Sequence, residues 1–176
     1  TLRATDDFAD GSVTTLSNSL HQANANLQKL AYRDPLTRLS NRLMFERRLG
    51  AAIADADARR TRLTLMFIDL DGFKPINDGY GHATGDRVLR EIGERLRRVA
   101  PKGATIARLG GDEFVFLLRQ PLSNGEASAL ATQLLGAMSP PFVVDGESLT
   151  LSCSIGIAAY PDCGSGDKLL AAGDTA

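Results

Sequence analysis

Residues 104–119 read ATIARLGGDEFVFLLR, two apolar runs hinged at a glycine pair. Nothing else in the chain narrows the fold as much. Runs of this length around Gly110 and Gly111 predict two short strands closed by a tight hairpin. The hairpin must be buried, because Phe114 to Leu118 is unbroken hydrocarbon. Yet Asp112 and Glu113 place two carboxylates at the mouth of the second strand.

A second acid-ended strand lies upstream. In LTLMFID, residues 63–69, alternation puts Leu63, Leu65, Phe67 and Asp69 on one side, and Asp71 continues that row. If the hairpin lies beside this strand, two or three carboxylates converge at one sheet edge. Two unit charges ~4 Å apart at an effective dielectric near 20 repel by roughly 4 kcal/mol, so a cation joins them or the acids diverge. The plainer alternative is a solvated turn. The chain has two histidines, His21 and His82, too few for a nitrogen-rich zinc site. Oxygen donors without soft ligands point to Mg2+ or Mn2+. One ion with contacts of about 2.0–2.6 Å requires Asp69 within ~10 Å of Asp112 and Glu113.

Between these segments runs DGFKPINDGYGHATGD, residues 71–86. Phe73 and Lys74 occupy the positions where an EF-hand needs an acid or amide and then glycine. Gly85 is followed by Asp86 rather than by the Lys-Ser/Thr of a P-loop, and Gly79, Gly81 and Gly85 are misspaced for a dinucleotide fingerprint. What remains is a glycine-rich loop with free backbone N–H groups, Lys74, and a helix beginning near Asp86, which together could cradle phosphates. Asn77 and Asp86 suit the edge of a guanine, an amide offering donor and acceptor and a carboxylate accepting two hydrogens. On local grounds a turn residue for Asn77 and an N-cap for Asp86 are the stronger readings.

The remaining elements follow from periodicity. Val13, Leu16, Leu20, Ala23, Leu27 and Leu30 form a heptad-like seam, read as a short coiled-coil stalk over residues 1–32, with packing on its own domain as the alternative. Asp34-Pro35, Thr37, Ser40 and Asn41 form a capping-rich boundary before an amphipathic helix from Leu43. A helix from about Asp86 to Val99, another near 125–138, a strand FVV, the turn Asp145-Gly146, a strand over 149–159 and the start of a last helix complete the domain. Strands mixed with helices predict an α+β domain, a sheet with helices packed on it.

Composition excludes several classes. Twenty basic against 21 acidic residues give a net charge of -1, so no broad cationic field exists for a nucleic-acid polymer or an anionic membrane. Cys153 and Cys163 match no zinc spacing and are expected to be free thiols. No apolar run approaches the ~18 residues of a membrane helix. The sequence opens on threonine and ends at Ala176, and is expected to be a piece of a longer protein.

Taken together, DPLTRLSNR at 34–42, FIDLDGFKPINDGYGHATGD at 67–86, RLGGDEF, and SCSIGIAAYP at 152–161 resemble the GGDEF family of diguanylate cyclases. The resemblance implies a fold like nucleotidyl cyclases and polymerase palms, a mostly antiparallel central sheet surrounded by helices, with the GGDEF domain over 33–176. It implies condensation of two GTP to cyclic di-GMP and two pyrophosphates by a homodimer. Asp69, Asp112, Glu113 and the Leu70 carbonyl would hold the metal, and Asp112, Glu113 and Lys74 would act in catalysis. The backbone from Leu70 through Asp71 and Gly72 to Phe73 would meet phosphates, with Gly110 and Gly111 admitting the nucleotide. Asn77, His82 and Asp86 would surround guanine and ribose.

The alternatives are a catalytically weak GTP-sensing domain governing a neighbouring EAL-type phosphodiesterase, and a dimerisation unit without nucleotide chemistry. Neighbouring sensor domains, a bacterial cytoplasmic location, with a membrane-anchored parent protein as the alternative setting, and biofilm control are further implications. Two departures stand out. Pro101 and Ala104 occupy the places of the Arg and Asp of the family's product-feedback pair, so feedback through that site is not expected. The chain stops at Gly-Asp-Thr-Ala, with Gly173 at a usual alanine position, where relatives continue into a lysine-bearing helix; this fragment is expected to bind GTP weakly or turn over poorly even where the full protein is active.

Overall fold

The computed structural model describes residues 31–164. The stalk seam, the last helix and Gly173 lie outside the described residues. The elements in order are α1 (Arg42–Arg59), β1 (Leu63–Asp71), α2 (Phe73–Tyr80), α3 (His82–Val99), β2 (Thr105–Gly110) and β3 (Glu113–Leu118). Then follow α4 (Asn124–Met138), β4 (Phe142–Val144), β5 (Glu147–Leu149) and β6 (Ser152–Tyr160).

Four strands form one sheet in the order β2-β3-β1-β6, and every neighbouring pair is antiparallel. β1 is central and buried on both faces because its two residue rows serve two cores. Leu63, Leu65 and Phe67 pack with Phe45, Leu49, Ala52 and Ala56 of α1. Met66, Ile68 and Leu70 face the other way, onto Val88, Leu89, Ile92 and Leu96 of α3 and Leu130 and Leu134 of α4. Phe114 and Phe116 of β3 join that larger core almost fully buried, each contributing about 2–3 kcal/mol of transfer free energy. The α+β expectation therefore holds, with helices covering both faces of an antiparallel sheet.

The edge strand β2 is protected by the segment before α1. Ser40 bridges Ala107, with Ser40 N–H donating to the Ile106 carbonyl at 3.2 Å and Arg108 N–H to the Ser40 carbonyl at 2.9 Å. Such cover removes an open row of backbone groups. Asn41 then caps α1, its Oδ1 accepting from Met44 N–H at 3.0 Å.

Three expectations need correction. The stretch after Asp71 is not an open loop to Gly85, since Phe73–Tyr80 is helical and α3 begins at His82. Phe73 and Ile76, three apart, are buried against α3, and that packing outweighs the poor helix propensity of Asn77, Asp78 and Gly79. Asp86 is consequently inside α3 rather than its N-cap, a position taken by Gly81 at φ 84°. Finally, the strand expected over 149–159 is broken at Thr150. β5 pairs only with β4, whereas β6 belongs to the large sheet.

Candidate functional site

The β1–β3 ladder ends at the pair Asp69 and Glu113. Directly opposed residues on neighbouring strands share a face, with Cβ atoms about 4.5–5.5 Å apart. Asp69 and Glu113 are thus side by side, well inside the reach of one ion. Asp112 sits in the turn one residue earlier, and its charge acts on Asp69. Burial, then Asp112, then Asp71 raise the Asp69 carboxyl above the ordinary carboxylate range, opposed by the Leu70 N–H. The desolvated carboxylate has anionic neighbours, an arrangement that favours a cation.

Asp71 behaves differently from its row-mate. The β1–β3 ladder stops before it, and its carboxylate accepts hydrogen bonds from Ser152 Oγ at 3.0 Å and Ser154 Oγ at 3.1 Å. This leaves Asp69 and Glu113 at the end of the β1–β3 ladder with Asp112 in the adjoining turn, and Asp71 held aside against β6. Beneath it Cys153 is buried, and burial followed by the Asp71 charge pushes its thiol up to about 11. Cys153 and the exposed Cys163 are both free.

The hairpin turn is held from outside. Gly111 is left-handed at φ 46°, and a Cβ built at Gly110 or Gly111 would meet nothing within 4 Å, so the space above the turn is open. Arg108 donates to the Gly111 carbonyl through Nε at 3.0 Å and Nη2 at 2.7 Å, and through Nη1 to Asp34 Oδ1 at 3.1 Å. Asp34 Oδ2 in turn accepts from the backbone and hydroxyl of Thr37, both at 2.7 Å. On the other face, Arg42 Nε donates to the Leu109 carbonyl at 3.3 Å and its Nη2 lies 3.6 Å from Glu113 Oε2. Sequence reasoning missed both arginines and read Asp34 only as a boundary cap. Arg108 did carry a signal, as the only charge within strand β2.

The remaining candidates follow β1 directly. Gly72, left-handed at φ 83°, turns the chain into α2, so the N-terminus of α2 and exposed Lys74 lie just beyond Asp71. Asn77 is half-buried, with its Oδ1 only 2.0 Å from where a Cβ of Gly85 would be, so any larger residue there would displace the Asn77 amide. This places the Asn77 amide against α3 at Gly85, the residue before Asp86. His82 and Asp86, both exposed and four residues apart, share one face of α3.

Among the described residues, no three His, Cys, Asp or Glu side chains form a ready metal cage. Mg2+ does not need one, since it takes one or two carboxylates and completes its shell with water and substrate phosphates. Asp69, Glu113, Asp112 and the Leu70 carbonyl form an all-oxygen donor set of that kind, and the residues fit such an ion. No helix among the described residues is long and apolar enough to cross a membrane.

Comparison with known proteins agrees with this geometry. The chain is 43% identical over 161 residues to the bifunctional diguanylate cyclase/cyclic di-GMP phosphodiesterase MucR of Pseudomonas aeruginosa, covering 90% of this chain and 23% of MucR. It is 44% identical over 144 residues to the diguanylate cyclase TpbB of the same organism, covering 81% of this chain and 33% of TpbB. The chain thus spans only 23% to 33% of these relatives' length. Among solved structures, the coiled coil and GGDEF domain of DgcB from Caulobacter crescentus, in complex with c-di-GMP, matches with a TM-score of 0.84. The identity is 28%, over 97% of this chain and 91% of that one. Residues 31–176 match the profile described as diguanylate cyclase, GGDEF domain, and the chain belongs to that family.

Proposed function

We propose that this domain condenses two GTP into cyclic di-GMP and two pyrophosphates. The observation that carries the reading is the pairing of Asp69 with Glu113 at the end of the β1–β3 ladder, with Asp112 close enough to raise the Asp69 pKa. An acidic sheet end followed by a helix N-terminus is suited to a triphosphate with its cation. The N-terminus of α2 and Lys74 would bind phosphate oxygens. Asn77 of α2 and Asp86 of α3 would read the guanine edge, with His82 beside the ribose.

The open space over Gly110 and Gly111 would let the nucleotide approach the backbone. When bound, Mg2+ or Mn2+ held by Asp69, Asp112, Glu113 and the Leu70 carbonyl would offset phosphate charge and acidify the attacking hydroxyl. Asp112 is the candidate base for that 3'-hydroxyl. As its proton leaves, the oxygen bonds to the α-phosphorus of the other GTP and the bond to pyrophosphate breaks. One domain holds one GTP, so two domains must face each other. The match to a coiled-coil and GGDEF structure over 97% of this chain supports a stalk that pairs them. Pro101 and Ala104 give the domain no Arg-x-x-Asp feedback pair, and product inhibition relieved by changing residues 101–104 would contradict this.

The test is incubation of the full-length protein with GTP and Mg2+, with chromatography for cyclic di-GMP. Wild type is expected to form product and Asp112→Ala to form none. GTP binding without product would instead support a sensing domain, and no binding a structural unit.

A further inference from the structure

The mechanism above leaves Arg42 unused, although it is the residue of α1 that reaches the acidic end of the hairpin. Its backbone is anchored on the N-terminal side. Ser40 is bonded in both directions to β2. Asn41 donates its N–H to the Tyr32 carbonyl at 3.1 Å and Nδ2 to the Ala31 carbonyl at 2.8 Å, while capping α1. From this fixed root the guanidinium spans the two strands of the hairpin where they part, touching Leu109 of β2 and Glu113 of β3. The ladder is irregular at the same place, with a register shift between Arg108 and Gly110. A bulged strand end has fewer backbone bonds to hold it, and a glutamate side chain has several rotamers to lose.

Resting on the reading of this site as a cyclase, we propose that Arg42 is a positioning residue that holds the hairpin mouth and the Glu113 carboxylate in place. It touches neither GTP nor the reacting atoms. Its planar fork suits the task, since one nitrogen holds a carbonyl while another faces a carboxylate. A lysine could face Glu113 but would not reproduce the two-point hold.

The experiment compares full-length wild type, Arg42→Ala, Arg42→Lys and the control Arg59→Ala, which breaks only an exposed pair with Asp55 at the far end of α1. Two readouts are taken: amide hydrogen exchange of residues 109–114 without nucleotide, and kcat and KM for GTP. In Arg42→Ala, exchange across 109–114 is expected to quicken severalfold. Its kcat should fall roughly tenfold, the cost of a misplaced reacting group, with KM within about twofold. Arg42→Lys should recover part of kcat, and Arg59→Ala should match wild type in both. Unchanged exchange in Arg42→Ala, or a KM rise as large as the kcat loss, overturns the inference. If wild type makes no cyclic di-GMP, the functional reading fails, and the exchange comparison alone decides the role of Arg42.

Discussion

The two β-hairpins of this domain are both closed through glycine, yet they are stabilised in opposite ways. The β4–β5 turn has Asp145 at φ 52° and Gly146 at φ 86°. Two consecutive positive φ values are the type I′ pattern, whose twist matches the flanking strands, so the turn closes on local chemistry alone. The turn carries an exposed ion pair between Asp145 and Arg87. The β2–β3 turn has a register shift and depends on two arginines from outside the turn. Arg108 satisfies the Gly111 carbonyl and pairs with Asp34, and Arg42 bridges the strand ends. A turn that only connects can be self-sufficient. One that must present two adjacent acids carries a conformation and a charge density that distant residues have to support.

The comparison is broken most severely at the acids. Asp112→Ala should lower cyclic di-GMP formation by about a thousandfold or more, while Asp145→Asn in the other hairpin leaves it within about twofold of wild type. Chromatographic product assays would show both, and equal losses would erase the distinction. Arg108→Lys comes next. Its pair with Asp34 is only 14% and 15% exposed, so loss of the fork that links Asp34 to the Gly111 carbonyl should cost about 2–3 kcal/mol in urea unfolding. Breaking the exposed Arg87–Asp145 pair should cost at most about 0.5 kcal/mol.

Smaller still, Gly111→Ala and Gly146→Ala each force a side chain into the left-handed region at about 1–2 kcal/mol. Only the first is expected to slow turnover as well. A loss of turnover in both would mean that the β4–β5 hairpin serves the site too.

The smallest effect is electrostatic and concerns Asp69. Its folded pKa is raised from 3.8, so the native state keeps this proton to higher pH than the unfolded chain. Stability therefore falls as pH rises through that window, and the penalty persists at neutral pH. Asp69→Asn removes it. In metal-free buffer the variant should melt about 1–2 °C above wild type at pH 7, with the gap closing below pH 3.8. A variant that melts lower at pH 7 would mean that the protein's own groups stabilise Asp69 as an anion without a metal ion.

Much of the architecture was legible because it rests on local pattern. The glycine-hinged hairpin, the acid-ended strand β1, the Asp145-Gly146 turn and helices α1 and α4 all follow from periodicity and turn chemistry. Helix α2 did not, because Asn77, Asp78, Gly79 and Gly81 individually favour turns. Its helicity comes from Phe73 and Ile76 finding α3, and Gly85 admits Asn77 at the contact. The acids Asp69, Asp112 and Glu113 were legible as a set, whereas the withdrawal of Asp71 toward Ser152 and Ser154 was not. The two arginines were hidden for a plain reason of distance along the chain. Arg42 meets Leu109 across 67 residues, and Arg108 meets Asp34 across 74.

Sequence by itself determined which segments become strands and helices in most of the domain, and which residue types bring oxygen donors and amides to one end of it. These are properties of neighbouring residues, fixed by backbone sterics and hydrophobic period. Tertiary structure alone decided the partners: Glu113 rather than Asp71 beside Asp69, Asn77 against Gly85, and two guanidinium groups around one turn. Charges and hydrogen bonds act over a few ångströms in space, and only the packed sheet sets which residues come within that range.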